Sequence, residues 1–177
     1  MSRAFLSLGS NIGDSWSLLR EAVNSLDSVV AVSPVYRTDP VGGPEQDPFL
    51  NIVIELDTEL SARELLGVCH RLESAANRVR TVRWGPRTLD VDIIWIDGVT
   101  ISEPDLEVPH PRMQSRRFVM APLADLAPDV AGPDWADRAE GHVHSVGPID
   151  AEVFVEFADR RCAADGELPF AFLADVL

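Results

Sequence analysis

The chain contains no lysine. All 15 of its basic residues are arginine, they stand against 29 aspartate and glutamate residues, and the formal net charge is −14. The absence of lysine excludes a Walker A lysine, a Schiff-base lysine and the strand lysine of protein kinases. The negative charge disfavours binding to nucleic acid, whose phosphates would be repelled. Any phosphate that this protein binds must therefore be held by arginine, by main-chain N–H groups or by a metal ion.

Cysteine and long apolar runs are also scarce. Cys69 and Cys162 are the only cysteines, and Cys69 falls on the apolar stripe of a predicted helix, so we interpret it as a core residue. No apolar run approaches the ~20 residues that span a bilayer. The N-terminal residues lack the long apolar segment and the cleavage site of a signal peptide. We therefore expect a cytoplasmic protein with no membrane partner. From the charge we expect no nucleic-acid partner, and we also expect a monomer.

The order of the predicted elements is β-α-β-β-α-β. Apolar alternation and helical spacing predict strands over 3–8, 29–37, 50–57 and 89–96, and helices over 15–27 and 61–76. Asp14 is a predicted N-cap, and Ser61 with Glu64 forms a predicted capping box. A short helix is predicted near 115–125. This order is typical of an α+β fold of ferredoxin-like type, in which an antiparallel sheet carries its helices on one face.

Charge divides the chain into two parts. We predict a main domain over 1–132 and an acidic C-terminal extension over 133–177, which packs on the domain or trails from it. The extension holds 10 acidic residues and three arginines. It includes a predicted helix over about 150–162. The sequence assigns no chemistry to this extension.

Two aspartates on the last predicted strand are the sharpest chemical pattern. Asp90 and Asp92 are two residues apart, so their side chains point to the same face of the strand. Two carboxylates this close repel each other unless a cation lies between them, and Mg²⁺ prefers oxygen ligands of this kind. A short D-x-D motif alone also fits a solvated strand edge.

An arginine-rich loop directly precedes the aspartates. It contains Arg78, Arg80, Arg83 and Arg87, with Trp84 among them. The guanidinium group matches the geometry of phosphate oxygens. The loop therefore predicts an anion site beside a metal site, although arginines that only neutralise nearby acids would give the same pattern.

Three further residues surround this region. Asn51 lies with Glu55 on the polar face of the predicted strand 50–57, and Phe49 stands at the start of that strand. Such a face suits a planar heterocycle, because aromatic rings gain from stacking. His110 lies between two prolines, where it is either structural or a donor to phosphate.

These motifs together resemble the 6-hydroxymethyl-7,8-dihydropterin pyrophosphokinase family. The run from Arg83 to Asp92, Arg-Trp-Gly-Pro-Arg-Thr-Leu-Asp-Val-Asp, resembles the signature of the family and is long and specific. The segments 8–11 (Leu-Gly-Ser-Asn), 33–38 (Ser-Pro-Val-Tyr-Arg-Thr), 49–51 (Phe-Leu-Asn) and 108–110 (Val-Pro-His) agree in order. The resemblance runs from about residue 4 to residue 130. It implies transfer of the pyrophosphoryl group of ATP to the pterin hydroxymethyl group, with release of AMP, in folate synthesis.

The resemblance also implies a role for each site residue. Asp90 and Asp92 would bind two Mg²⁺ ions, and Phe49 and Phe118 would sandwich the pterin ring. Asn51 would hydrogen-bond the edge of the ring, with Thr38, Val41 and Gly42 nearby. The residues implied to contact ATP are His70, Glu73, Arg78, Arg87, Ile93, His110 and Arg116. Arg80 and Trp84 would ride on a loop that closes over the reactants, and Asp90 or a metal-bound water would accept the proton.

The sequence departs from the family pattern in three places. Asp39 stands where many relatives carry proline, His70 stands where glutamine is common, and the extension after about 133 does not follow the pattern. Two other functions remain open from the motifs alone. One is a Mg²⁺-dependent phosphohydrolase, and the other is a non-enzymatic ferredoxin-like module that holds an anion.

Overall fold

The computed structural model describes residues 1–40, 45–78 and 85–149. Within these ranges the chain forms eight strands and five helices. The strands are β1 Ser2–Ser10, β2 Val29–Val32, β3 Val35–Thr38, β4 Phe49–Thr58, β5 Asp90–Ile96, β6 Ile101–Glu103, β7 Leu106–Val108 and β8 Val143–Gly147. The helices are α1 Ser15–Asn24, α2 Ala62–Ala75, α3 Arg117–Leu126, α4 Pro128–Ala131 and α5 Trp135–Arg138.

Six of these strands form one antiparallel sheet. Its order is β5-β1-β4-β3-β8, and β2 also pairs with β4. The long strands β1 and β4 lie at its centre, with Leu6 opposite Ile54. β5 runs along the other side of β1. The prediction of an α+β fold with an antiparallel sheet and helices packed on it is confirmed.

The sheet separates two apolar layers. Alternate residues of β1 and β4 point to opposite faces. One set, which includes Leu6 and Ile54, packs against α1 and α2. The other set, which includes Phe5 and Val53, packs against α3 through Met120. The expectation that all helices lie on one face is therefore wrong for α3, because the second face is also apolar and needs its own cover.

Both predicted helix starts are confirmed. The Asp14 side chain accepts a hydrogen bond from the Ser17 N–H at 3.1 Å, which caps α1. Ser61 and Glu64 form the reciprocal capping box of α2. Helix α1 ends three residues earlier than predicted. The cause is local, since the Ser25 hydroxyl and N–H both donate to the Glu21 carbonyl and close the last turn.

The predicted strand 29–37 is divided at Ser33-Pro34 into β2 and β3. Proline has no main-chain N–H with which to pair in the sheet. At this break the Ser33 hydroxyl accepts a hydrogen bond from the Val53 N–H at 2.9 Å. Both halves still pair with β4. The region 97–112, where no strand or helix was predicted, contains the short hairpin β6-β7.

The described part of the C-terminal extension adds to the main sheet. β8 pairs with β3 in antiparallel register, with Val143 opposite Thr38. The predicted helix at 150–162 and Cys162 lie outside the described residues, and the division into domains at 132 stays a prediction. Cys69 is fully buried in the layer beneath α2, as predicted for a core residue. In the described part of the chain, no helix has the length and apolar character needed to cross a membrane.

Candidate active site

A cavity of about 360 Å³ opens on the α3 side of the sheet. Its floor is formed by one end of β1, β4 and β5, and the first residues of α3 form a wall. The size is within the range of small-molecule sites. Its lining includes Thr38, Asp39, Phe49, Asn51, Arg87, Asp90, Asp92, Arg116 and Phe118.

Asp90 and Asp92 both reach this cavity from β5. They lie opposite Gly9 and Ser7 of β1, on the face away from α1 and α2. The same-face arrangement predicted from their spacing is therefore present. Of the arginines predicted beside them, Arg78 and Arg87 contact Asp90 and Arg116 lies near Asp92, while Arg80 and Arg83 lie outside the described residues.

An ion-pair chain fixes Asp90. Arg78 lies between two acids, with its Nη2 2.6 Å from Asp90 Oδ1 and its Nη1 on Glu73. Arg87 pairs with the other oxygen of Asp90. Burial acts to raise the pKa of Asp90, but the charges of Arg87 and Arg78 outweigh it, and the net pKa is lowered. Asp90 is therefore ionised and held in one orientation.

Asp92 has a different environment. Its side chain is 42% exposed, and the nearest basic groups, His110 Nε2 and Arg116 Nη1, are each 3.9 Å away. Burial and the charge of Asp90 raise the pKa of Asp92. Burial lowers the pKa of His110, with a further contribution from Arg116 that the charge of Asp92 opposes. Asp92 thus carries a charge that the surrounding protein does not fully offset.

Glu73 supports the site from behind. It lies on α2, on the opposite side of the sheet, and its carboxylate accepts a hydrogen bond from the Val91 N–H at 3.1 Å. The same carboxylate pairs with Arg78. Among the described strands β5 lies at the edge of the sheet, and this bond occupies an N–H that none of them takes. Glu73 is not among the residues that line the cavity.

Two phenylalanines and an amide mark the other end of the cavity. Phe49 and Phe118 both line it. Asn51 also lines the cavity; it is 4% exposed, and its Nδ2 donates to Thr38 Oγ1 at 2.9 Å. Glu55, expected on the same polar face, is instead paired with Arg3 at 3.1 Å and is absent from the cavity lining.

The remaining predicted residues are placed as follows. His70 is exposed on α2 and does not line the cavity. The Ile93 side chain is 5% exposed and packs in the layer beneath α2, so it faces away from the cavity. Their roles in ATP binding stay predictions. Val41, Gly42, Arg80, Arg83 and Trp84 lie outside the described residues.

Sequence reasoning missed three contributions to this site. Asn11 joins Arg87 to the segment before β4, through Arg87 N–H to Oδ1 at 2.8 Å and Nδ2 to the Asp47 carbonyl at 2.9 Å. Gly9 leaves the space that Asn51 occupies, since a Cβ at position 9 would lie 2.8 Å from Asn51 Oδ1. Glu140 and Gly141, in the extension to which no chemistry was assigned, also line the cavity. The sequence signal for Gly9 and Asn11 was the segment 8–11, which agreed with the family pattern but to which no role was assigned.

Paired carboxylates set against guanidinium groups, with an apolar slot beside them, suit a ligand that is part phosphate and part ring. In phosphoryl transfer the protein mainly positions the phosphates and neutralises their charge. The fold and the cavity therefore define an α+β phosphoryl-transfer enzyme.

Comparison with known proteins gives the family. The family model for 7,8-dihydro-6-hydroxymethylpterin-pyrophosphokinase matches residues 5–128. The chain belongs to this family and is a pyrophosphokinase. Two relatives named 2-amino-4-hydroxy-6-hydroxymethyldihydropteridine pyrophosphokinase are close in sequence. The protein of Methylorubrum extorquens is 47% identical over 135 residues, which cover 73% of this chain and 85% of the relative. The protein of Bacillus subtilis is 46% identical over 132 residues, which cover 72% and 79%.

A solved structure of Plasmodium falciparum HPPK-DHPS shares the fold. It superposes with a TM-score of 0.55 at 14% identity, and the match covers 94% of this chain and 45% of that chain. At this identity the similarity concerns the fold alone.

Proposed function

We propose that this protein transfers the pyrophosphoryl group of ATP to the hydroxymethyl group of 6-hydroxymethyl-7,8-dihydropterin in folate synthesis. The hydroxymethyl oxygen forms a bond to the β-phosphorus as the bond from that phosphorus to the α,β-bridging oxygen breaks. AMP keeps the bridging oxygen, the pterin diphosphate forms and the hydroxyl proton is released. The observation that carries the proposal is that one cavity holds both the acid pair and the two phenylalanines.

We assign the pterin to the apolar end of the cavity. Phe49 and Phe118 would stack on the ring, and aromatic pairs of this kind add about 0.5–1.5 kcal/mol beyond burial. Asn51 is held against Thr38 with one of its two amide hydrogens, so its other hydrogen-bonding groups are oriented for the edge of the ring. The segment 41–42, predicted to contribute to this subsite, lies outside the described residues.

We assign the phosphates of ATP to the arginine end. Arg87 and Arg116 line the cavity, and Arg78 lies directly behind Asp90. His110 is held beside β5 because its main-chain N–H donates to the Ile94 carbonyl at 3.0 Å. These four cationic or donor groups would bind the phosphate oxygens and keep them in line with the pterin hydroxyl.

The donor set fits Mg²⁺. Asp90 and Asp92 face the cavity from neighbouring positions on one strand, and in the described part of the chain no group of three or more His, Cys, Asp and Glu side chains could hold a metal. Mg²⁺ is commonly bound by one or two carboxylates together with substrate phosphates. Asp90 and Asp92 would hold two ions, whose chemistry is to neutralise and align the phosphates. The lowered pKa of Asp90 makes it a weak proton acceptor, which counts against its predicted role as the base.

The other functions considered from the motifs are less well supported. A non-enzymatic anion module is inconsistent with membership of an enzyme family, and it gives no reason for two aspartates in one cavity. A phosphohydrolase gives no reason for two phenylalanines in the lining of the cavity.

We also propose that the protein acts in the cytoplasm as a monomer. Its two cysteines are in keeping with a reducing compartment.

The test is AMP release measured with ATP and Mg²⁺, with and without 6-hydroxymethyl-7,8-dihydropterin. We expect AMP and the pterin diphosphate in equal amounts, and AMP only when the pterin is present. Release of inorganic phosphate or pyrophosphate at the same rate without pterin would contradict the proposal. A chelator should abolish the reaction, and added Mg²⁺ should restore it.

A further inference from the structure

The chain returns to the cavity after the part that the family model matches. The match ends at residue 128, yet Glu140 and Gly141 line the cavity. Between them and the matched part lie α5 and Ala139, which is 4% exposed and packs with Phe5 and Met120. This segment is therefore attached to the core and is part of the cavity wall.

Two main-chain hydrogen bonds join Glu140 to Ser115 and Arg117, the residues on either side of Arg116. The Glu140 N–H donates to the Ser115 carbonyl at 2.9 Å, and the Arg117 N–H donates to the Glu140 carbonyl at 3.0 Å. Residues 116 and 140 thus form a parallel β-bridge just before α3 begins. The bridge holds Arg116 in an extended conformation, with φ −105° and ψ 107°. From that position the Arg116 guanidinium lies 3.9 Å from Asp92.

Arg117 anchors the segment to α3. Its Nη2 donates to the Ala136 carbonyl at 2.6 Å and to the Ala139 carbonyl at 2.8 Å. Its guanidinium carbon also lies 5.8 Å from the centre of the Trp135 ring. Hydrogen bonds from a charged donor are about twice as strong as neutral ones. One side chain therefore fixes the last turn of α5, and this places residue 140 beside Ser115.

The far end of the segment reaches the pterin side of the cavity. β8 pairs with β3, and Val143 is opposite Thr38. Thr38 in turn accepts the hydrogen bond that orients Asn51. The segment thus runs from the wall that carries Arg116 to the wall that carries Thr38.

We propose that residues 139–147 are an integral wall of the substrate site, and that Arg117 is a positioning residue that aims Arg116 and Phe118 through this wall. The proposal rests on the proposed function for the identity of the ligands. It gives Arg117 no contact with a substrate. It also predicts that the C-terminal segment, although outside the family match, is needed for full activity.

The test compares Arg117→Met with Arg138→Ala in the full-length protein. Arg117→Met keeps the aliphatic volume but removes every donor. Arg138 is the matched control, because it is an arginine of the same segment whose Nη2 donates to the Ala131 carbonyl at 3.2 Å. We expect Arg117→Met to raise the KM for the pterin and to lower kcat/KM by about tenfold, because small displacements of positioned groups are costly. Arg138→Ala should stay within about twofold of the wild type, the usual range for a surface substitution.

A second readout does not depend on the reaction. Amide hydrogen exchange at Arg117 and Glu140 reports the two bridge hydrogen bonds directly. We expect both amides to exchange faster in Arg117→Met and at the wild-type rate in Arg138→Ala. If Arg117→Met does not fold, Arg117→Lys, which keeps one charged donor, should show the same changes to a smaller degree.

Three results separate the two proposals. A wild-type protein that releases no AMP with pterin would defeat the proposed function, while the exchange data would still decide whether Arg117 holds the bridge. An active wild type with unchanged kcat/KM in Arg117→Met would overturn the inference alone. Equal losses in Arg117→Met and Arg138→Ala would also overturn it, because they would indicate general loosening of the segment.

Discussion

Asn11 and Arg87 hold each other by reciprocal hydrogen bonds. The Arg87 N–H donates to Asn11 Oδ1 at 2.8 Å, and the Asn11 N–H donates to the Arg87 carbonyl at 3.0 Å. Asn11 is 6% exposed and also bonds Gln46 and the Asp47 carbonyl. A single amide therefore connects the end of β1 to the segments that lead into β4 and β5.

This connection predicts a large effect of Asn11→Ala. The substitution leaves the Arg87 N–H without its acceptor and keeps only the main-chain bonds to the Arg87 carbonyl, so it loosens the position of Arg87 beside Asp90. We expect turnover to fall by about 10- to 100-fold, in line with misplacement of a charge-neutralising group. The free energy of unfolding should fall by about 1–3 kcal/mol for an unsatisfied buried group. Steady-state kinetics and urea unfolding measure both, with Asn24→Ala at the exposed end of α1 as the control. Wild-type turnover in Asn11→Ala would contradict the proposed link.

Asp92→Ala tests the metal assignment. Loss of a group that stabilises charge should reduce turnover at least ~10²-fold. Mg²⁺-dependent binding of a non-hydrolysable ATP analogue should weaken in parallel, since the other aspartate would hold the ion alone. Asp57→Ala, at an exposed position on β4, is the control. Near-normal turnover of Asp92→Ala at saturating Mg²⁺ would remove Asp92 from the proposed site.

The two aspartates should affect stability in opposite directions. The pKa of Asp90 is lowered in the folded protein, so its charge stabilises the fold at neutral pH, and this contribution is lost as the pH falls through its folded pKa. The pKa of Asp92 is raised, so its charge costs stability once the pH rises above its folded pKa. We therefore expect Asp90→Asn to lower Tm at pH 7 and Asp92→Asn to raise it.

The measurement is the melting temperature of each variant and of the wild type from pH 7 downward, without Mg²⁺ or nucleotide. The difference for Asp92→Asn should shrink as the pH falls through the raised pKa of Asp92 toward 3.8, the ordinary pKa of aspartate, whereas the difference for Asp90→Asn should shrink only below 3.8. Differences of the same sign at pH 7 would show that the electrostatic argument is wrong. A rise in Tm for Asp92→Asn would mean that this site sacrifices stability to keep a charge.

Gly9→Ala tests the space beneath Asn51. The new Cβ would lie 2.8 Å from Asn51 Oδ1, so the buried amide must move. We expect weaker pterin binding by about tenfold, because the edge of the ring loses an oriented partner, and little change in ATP binding. Gly67→Ala in α2 is the control, where the nearest atom is the end of the Arg71 side chain at 3.5 Å. Calorimetric titration with each ligand measures the two affinities. Unchanged pterin affinity in Gly9→Ala would contradict the assignment of Asn51 to the edge of the ring.

Local rules predicted the elements whose signals are local. The capping box at Ser61 and Glu64 located α2 because both partners lie within four residues. The spacing of Asp90 and Asp92 predicted a shared face because strand geometry fixes it. The arginines upstream of them predicted an anion site for the same reason, since they lie close in the chain.

Long-range pairings could not be predicted in this way. The pairing of β8 with β3 joins residues more than 100 positions apart, and no periodicity indicates it. The same holds for Tyr36 on β3, whose hydroxyl donates to Asp125 of α3 at 2.7 Å. The cover of the second face by α3 depends on which side of the sheet the chain crosses, and the apolar pattern of β1 and β4 did not decide it. Asn11 was missed because its partners come from two other segments of the chain, one before β4 and one before β5.

The two apolar layers differ in size, and this has a practical result for handling the protein. The layer under α3 is the smaller one, and it also carries the wall with Arg116 and Phe118. On gentle heating this layer should open first, while the larger layer under α1 and α2 stays packed. Circular dichroism of a warmed sample would then still show the helical signal of α1 and α2 in a protein that has already lost its enzymatic activity.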